Sequence, residues 1–453
     1  MKNSKLNIIV LMSDSLRPDY LGCYGNPRAK TPNIDKLARE GILFEHVVAE
    51  QPITVPARNA YSLGMYTFPW LGWEPLPDNF PILQKILARE GYTTALIGDM
   101  GPPFKPEFKF CIHFQHVIFL RRKLEEKKLE GAERLFSWDK YHKEYTHPKE
   151  REGYLKGHVI RSGPSKDGGE RAVTEASLKW LEEHRNEKFF LWVDYLCPHE
   201  PWDPPEKYFR MYAAQEKYSG PRISLPRGHD KFDWTPEELD HIRNLYQGDV
   251  SLIDEYIGKF LSGLAELGLD NNTIVALISD HGVPLGERDG IVRKVRPILN
   301  REQVEVVQIL RMPDGPKGKR ISALCQNFDL TTTLLSLIGV NAPETMEGKD
   351  LSSLIENEEK IIRDKVFCGW KGRFGLFFPV SVRTEEWVYI RYPEQIRRRY
   401  PREKENELYN ISKDPWEQNN LIHEEKEIAE KLDSMIDEFL RQERLRISKL
   451  SKQ

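Results

Sequence analysis

Two short stretches place a carboxylate directly behind an apolar run. Ser13-Asp14-Ser15 follows Leu6 to Met12 (LNIIVLM), and Ser279-Asp280-His281-Gly282 follows Thr273 to Ile278 (TIVALI). Runs of this kind read as buried parallel strands, and ligands gather outside the carboxyl ends of such strands. Asp14, Asp280 and His281 brought to one sheet edge form a mixed oxygen and nitrogen donor set suited to a divalent cation. Singly, each aspartate reads as a turn former or a cap; the shared position behind two strands makes them candidate ligands. A third stretch, QPITVPAR over residues 51–58, sets Thr54 two residues before Pro56 and four before Arg58. A helix starting there holds the hydroxyl at its amino end beside an arginine, surroundings that favour an alkoxide and an incoming oxyanion. Thr54 is thus a candidate nucleophile. The octapeptide alone favours the plainer role of an N-cap threonine.

The elements that would hold these residues follow from periodicity. Three further buried strands are expected at Thr93 to Ile97, Phe189 to Tyr195 and Val304 to Leu310. Alternating with amphipathic stretches, they predict an α/β fold with a mostly parallel central sheet flanked by helices. Thr31-Pro32 and Thr235-Pro236 are helix starts, and LAREG at 37–41 and 87–91 ends two helices on glycine. Residues 120–170 break the alternation and read as an insertion over the loop edge. After Gly339 the pattern changes: WVYIRY alternates like an antiparallel strand, and the tail from His423 is a charged amphipathic helix. The division expected is a catalytic unit over 1–344 and a small α+β subdomain over 345–453 with a short antiparallel sheet and a terminal helix.

Length and charge narrow the function class. A chain of 453 residues has ample core for an enzyme. With 67 Lys plus Arg against 70 Asp plus Glu, the net charge of -3 provides no field for a nucleic-acid polymer or an anionic membrane. No apolar run approaches the roughly 18 residues that span a bilayer. The start runs straight into a strand-like segment without a cleavage site, so a cytoplasmic protein is expected. Five scattered cysteines fit buried reduced thiols. The terminal helix offers a face to a second copy of the chain, and the sequence leaves a monomer and a homo-oligomer both open.

Seven stretches in order carry a family resemblance: SDSLRPDYLGCYG (13–25), TPNIDKLAREGILF (31–44), TVPAR (54–58), AREGYTTALIGD (88–99), CPHEPWDPP (197–205), ISDHGVPLGE (278–287) and ELYNISKDPWEQNNL (407–421). The chain resembles the sulfatase family of the alkaline phosphatase superfamily over nearly its whole length. The resemblance implies an alkaline-phosphatase-like sandwich and one divalent ion (Mn, Zn, Fe, Ca or Mg) held by Asp14, Asp280 and His281, with Thr54 as a further ligand. It also implies that Arg58 orients Thr54, that Lys294 binds a non-bridging oxygen with Arg293 as its competitor, and that His199 protonates the leaving oxygen. Asp99, His113 and His116 fall where family members place substrate contacts.

The departures bear on substrate. Thr54 stands where these sulfatases carry the Cys or Ser converted to formylglycine, so no formylglycine is expected. Ser15 replaces the second aspartate of the usual pair, and Asp99 stands where a lysine is normal. The Asp-His pair resembles that of phosphonate monoester hydrolase and phosphodiesterase relatives. A threonine ester must be cleaved by water at its central atom, a step that phosphoryl groups accept. The expectation is therefore a small-molecule phosphodiester or phosphonate monoester substrate. A sulfuric ester hydrolase using unmodified Thr54 is the alternative, and a catalytically silent binding protein the third.

Overall fold

A computed structural model describes residues 6–120, 169–220, 222–226, 234–294, 298–357, 360–371, 377–394 and 405–450. The insertion expected over 120–170 lies outside the described residues except at its ends. Eight strands build the main sheet: β1 (Asn7–Ser13), β2 (Ile42–Val48), β3 (Thr93–Gly98), β4 (His116–Phe119), β5 (Phe189–Tyr195), β6 (Thr273–Ser279), β7 (Gln308–Arg311) and β8 (Lys319–Gln326). Their order is β4-β3-β5-β1-β6-β7-β2-β8, and every neighbouring pair is parallel except those made by β7. The three central strands β5, β1 and β6 are buried at every residue, as their predominantly apolar composition leads one to expect of strands covered on both faces.

The strand alternation divides β1 between two layers. Ile8, Val10 and Met12 pack with α2 (Thr54–Leu63), α3 (Leu83–Arg89) and α6 (Asp329–Leu337), through Leu63, Leu87 and Leu334 among others. Ile9 and Leu11 face α1 (Pro32–Glu40), α4 (Gly169–His184) and α5 (Pro236–Glu266), through Leu37, Leu181 and Val250. The result is an α/β/α sandwich. Beyond it, β9 (Lys365–Lys371), β10 (Phe377–Thr384), β11 (Trp387–Arg391) and β12 (Glu407–Asn410) form an antiparallel sheet in the order β12-β11-β10-β9. The terminal helix α7 (Lys426–Leu450) packs on it through Leu432, Ile436 and Phe439.

Two local expectations need correction, for the strand at Val304 to Leu310 and for Cys23, while both LAREG segments do end helices. Of Val304 to Leu310, only the end from Gln308 is strand; Val304 closes a short helical turn, and β7 runs against its neighbours. Glu305 and Gln308 interrupt the apolar run there, and an apolar pattern carries no information about strand direction. The two LAREG glycines serve different purposes. Gly91 adopts a left-handed φ of 82° behind α3, whereas at Gly41 a Cβ would lie 2.5 Å from the Leu310 carbonyl oxygen. Four cysteines are buried and free, but Cys23 is partly exposed.

Candidate active site

Register alone brings the two aspartates together. Ser13 of β1 lies opposite Ser279 of β6, so Asp14 and Asp280 leave the sheet side by side at its carboxyl edge. His281 follows, and the ligand atoms of Asp14, Asp280 and His281 all lie within 4.8 Å of one another, in full burial. The His281 Nδ1 faces the Gly282 carbonyl at 2.8 Å. Since that oxygen only accepts, Nδ1 carries the proton and Nε2 turns a lone pair into the cluster. Ser15, at a left-handed φ of 64°, donates its N–H to Asp280 Oδ1 at 3.0 Å and its hydroxyl to Asp14 Oδ1 at 2.8 Å. Tyr246 of α5 pins this turn by donating to the Ser15 carbonyl at 2.8 Å.

Arg58 joins the cluster to α2. Its buried guanidinium forms a bidentate pair with Asp194 of β5, Nε to Oδ2 at 2.8 Å and Nη2 to Oδ1 at 2.7 Å. Nη1 donates to both Asp280 Oδ2 at 2.7 Å and the Thr54 carbonyl at 2.8 Å, and Nη2 reaches Asp14 Oδ2 at 3.4 Å. One side chain therefore ties the first turn of α2 to the paired aspartates. Ile53 holds the N-cap of α2 and Thr54 is its first helical residue, so the capping role anticipated for Thr54 does not arise. Thr54 is 2% exposed.

Lys294 arrives from the loop behind β6. Its Nζ stands 3.3 Å from Asp14 Oδ1, 3.2 Å from His281 Nε2 and 3.4 Å from Ser15 Oγ. Arg293 turns the other way, to Glu200. His199 sits in the turn after β5, its N–H bonded to the Leu196 carbonyl at 2.8 Å and its side chain 20% exposed. Burial lowers the imidazole's affinity for a proton, against the pull of the Glu200 carboxylate.

The charges show what fits among these groups. Asp14, Asp194 and Asp280 face two cations, Arg58 and Lys294, while burial and Lys294 push His281 down to about 3 and keep it neutral. Burial beside Asp14 pushes Asp280 up to about 7, the mark of paired carboxylates short of positive charge. A donor set of two carboxylates and an inward imidazole lone pair therefore fits a divalent cation.

The remaining expected residues lie elsewhere or are otherwise engaged. Asp99 reaches the same edge behind β3, but its Oδ1 accepts the Leu196 N–H at 2.9 Å, which supports the turn carrying His199. His113 and His116 are not in the site. Because β4 runs parallel to β3, the chain must return to the amino edge before starting it. His116 pairs with Ala95 there, and its ring contacts those of Trp180 and His184. Sequence reasoning missed Asp194, although an acidic residue inside the run FFLWVDY was a usable signal; Glu200 and Arg293 gave none as a pair.

Comparison with known proteins gives the architecture a family. A family model described as Sulfatase matches residues 6–340. The chain belongs to the sulfatase family. A second model, N-sulphoglucosamine sulphohydrolase, C-terminal, matches residues 296–444. The arylsulfatase of Clostridium perfringens (strain 13 / Type A) is 28% identical over 95% of this chain and 92% of its own. Among solved structures, the phosphonate monoester hydrolase of Agrobacterium radiobacter superposes with a TM-score of 0.74, covering 97% of this chain and 96% of that one at 20% identity. A protein solved in complex with its substrate D-glucosamine-2-N,6-O-disulfate gives 0.71, covering 97% and 98% at 20% identity. Both structural likenesses establish the sandwich fold for this sulfatase-family chain. Family members are ester hydrolases that bind a divalent metal ion, and the chain is an enzyme of that class.

Proposed function

We propose that this chain hydrolyses a sulfuric ester of a small molecule, using Thr54 as an unmodified nucleophile. This reverses the order expected from sequence, where a phosphodiester or phosphonate ester came first. The family match and the arylsulfatase relative support sulfate. The observation that carries the site assignment is the convergence of Asp14, Asp280 and His281 with Arg58, whose guanidinium binds the Thr54 carbonyl and Asp280 together.

Asp14, Asp280 and His281 would hold the cation, with Thr54 beside them at the helix terminus. When bound, a divalent ion supplies Lewis-acid stabilisation of negative charge on the ester oxygens. The protein's own groups account for the rest. Thr54 Oγ gives up its proton to solvent and forms a bond to sulfur as the bond to the leaving oxygen breaks, and His199, acting in its protonated form, gives that oxygen its proton. Lys294 neutralises a non-bridging oxygen, and Arg58 holds the first turn of α2 in register with the aspartates. Water then attacks sulfur and hands a proton back to His199, the bond to Thr54 Oγ breaks with that oxygen regaining a proton from solvent, and sulfate leaves.

A phosphodiester or phosphonate monoester is the second reading. It is favoured by Thr54 itself, whose ester has no route of release except attack at the central atom. Purified protein assayed with an aryl sulfate, a bis-aryl phosphodiester and an aryl phosphonate under several divalent metals decides between them. Sulfate turnover leading the other two supports the proposal; phosphorus esters leading overturns it in favour of the second reading. Asp280→Asn and His281→Ala are expected to lose bound metal by elemental analysis, and retention of metal in both would show that the cation is held elsewhere.

A further inference from the structure

A buried carboxylate and a largely buried guanidinium flank the residues that act on the ester's oxygens yet take no part in the chemistry above. Glu200 follows His199 in the turn after β5. Arg293 precedes Lys294 in the loop after β6. Arg293 Nε donates to Glu200 Oε1 at 3.0 Å, with the two side chains 12% and 5% exposed. Arg293 takes a left-handed φ of 72°, which side chains with a Cβ adopt at a cost. That turn sends Arg293 toward Glu200 while Lys294 points to Asp14 Oδ1 and His281 Nε2. The same arginine is anchored by its N–H on the Pro284 carbonyl at 2.9 Å and by Nη1 on the Pro226 carbonyl at 3.2 Å. On the other loop, His199 Nδ1 contacts the Glu200 carbonyl at 2.6 Å and stands 3.5 Å from Glu200 Oε2.

We propose that the Glu200–Arg293 pair is a clamp that fixes the separation of His199 from Lys294, so that proton delivery to the leaving oxygen and neutralisation of the ester's other oxygens are positioned together. The inference rests on the roles given above to His199 and Lys294. Each partner is covalently next to one of those residues, and the ion pair is the cross-link between their loops. Buried as it is, salt screens it little. Glu200 and Arg293 are positioning residues, since neither reaches the aspartate cluster.

Glu200→Gln, Arg293→Gln and the double variant test this in manganese-loaded protein, with Arg293→Lys as a variant that keeps the charge. The first probe is inorganic sulfate, titrated calorimetrically. Each single change is expected to raise the Kd about tenfold, the double variant to match a single one within about twofold, and Arg293→Lys to recover part of the loss. The second probe is a series of aryl sulfates of rising phenol pKa. The loss in kcat/KM for Glu200→Gln is expected to grow from about tenfold with good leaving groups to about a hundredfold with poor ones. Additive losses in the double variant, or a loss uniform across the series with sulfate affinity intact, would overturn the clamp. If the wild type turns over no ester while sulfate affinity responds as stated, the catalytic reading fails, and with it the proton-delivery half of the proposal, while the clamp stands as a device that positions Lys294 for the anion. Sulfate affinity unchanged in every variant removes the clamp whatever the wild type does.

Discussion

At the scale of the residue, the proposed reaction depends on an alcohol at position 54. Thr54→Ala leaves the cluster of Asp14, Asp280, His281 and Arg58 intact but removes the attacking oxygen, so kcat should fall about 10³-fold or more. Thr54→Ser keeps an alcohol on a smaller side chain and should retain activity within about tenfold when produced without any maturation partner. Equal, small losses in both variants would remove Thr54 from the chemistry. Asp194 makes a different prediction, because it has no exposed surface and both its oxygens serve Arg58. Asp194→Asn leaves a buried guanidinium short of one charge partner, a change that costs about 3–5 kcal/mol when a buried pair is broken. Urea unfolding should register that loss. Metal content in the surviving folded fraction should fall with it, since Arg58 also holds Asp280.

At the scale of the element, strand ends made the site legible and strand direction hid part of it. Asp14, Asp280 and His281 were readable because each follows a run that is buried and parallel, and parallel neighbours put their carboxyl ends on one edge. Asp194 was hidden because it lies within such a run, one position before its end. His113 and His116 were misassigned because counting residues past β3 does not reveal that the chain travels back to the other edge. β8 was missed for a different reason: its exposed and buried residues alternate at the edge of the sheet, without the apolar run that marked the central strands. Helix starts were read from chemistry that acts locally, and the best case is α5. Its Thr235 accepts the Glu238 N–H at 3.2 Å while Glu238 accepts the Thr235 N–H at 2.9 Å. Thr235→Ala should therefore cost about 1 kcal/mol in equilibrium unfolding, with little change in kcat. A cost indistinguishable from zero would mean that the long apolar face of α5 alone fixes its start.

At the scale of the whole molecule, the small sheet and α7 are fused to the catalytic sandwich through aromatic packing. Phe439 of α7 stacks on Phe367 of β9 at 4.0 Å and meets Tyr66 and Phe68, which follow α2 in the chain, at 4.8 and 5.7 Å. Phe439→Ala should cost about 3–5 kcal/mol, and unfolding followed by fluorescence and by activity should remain coincident if the two sheets are one cooperative unit. Glu50 makes the same junction sensitive to pH. It lies between β2 and α2, its Oε2 accepts the N–H groups of Thr67 and Phe68 at 3.1 Å each, its Oε1 contacts the Thr67 hydroxyl, and its carbonyl accepts the Gly369 N–H of β9 at 2.8 Å. Burial outweighs these donors and pushes the carboxyl up to about 8. A raised folded value means that the native state holds the proton more tightly than the unfolded chain. The stabilisation is then complete below the ordinary carboxylate range and is lost as pH rises through about 8, with a slope of at most about 1.4 kcal/mol per pH unit. Glu50→Gln keeps an acceptor and removes the titration. Its melting temperature should fall at or below that of the wild type at pH 5 and rise above it by pH 9. A difference between the two proteins that stays constant across that range would show that Glu50 is ionised in the fold throughout, and that the donors from Thr67 and Phe68 outweigh its burial.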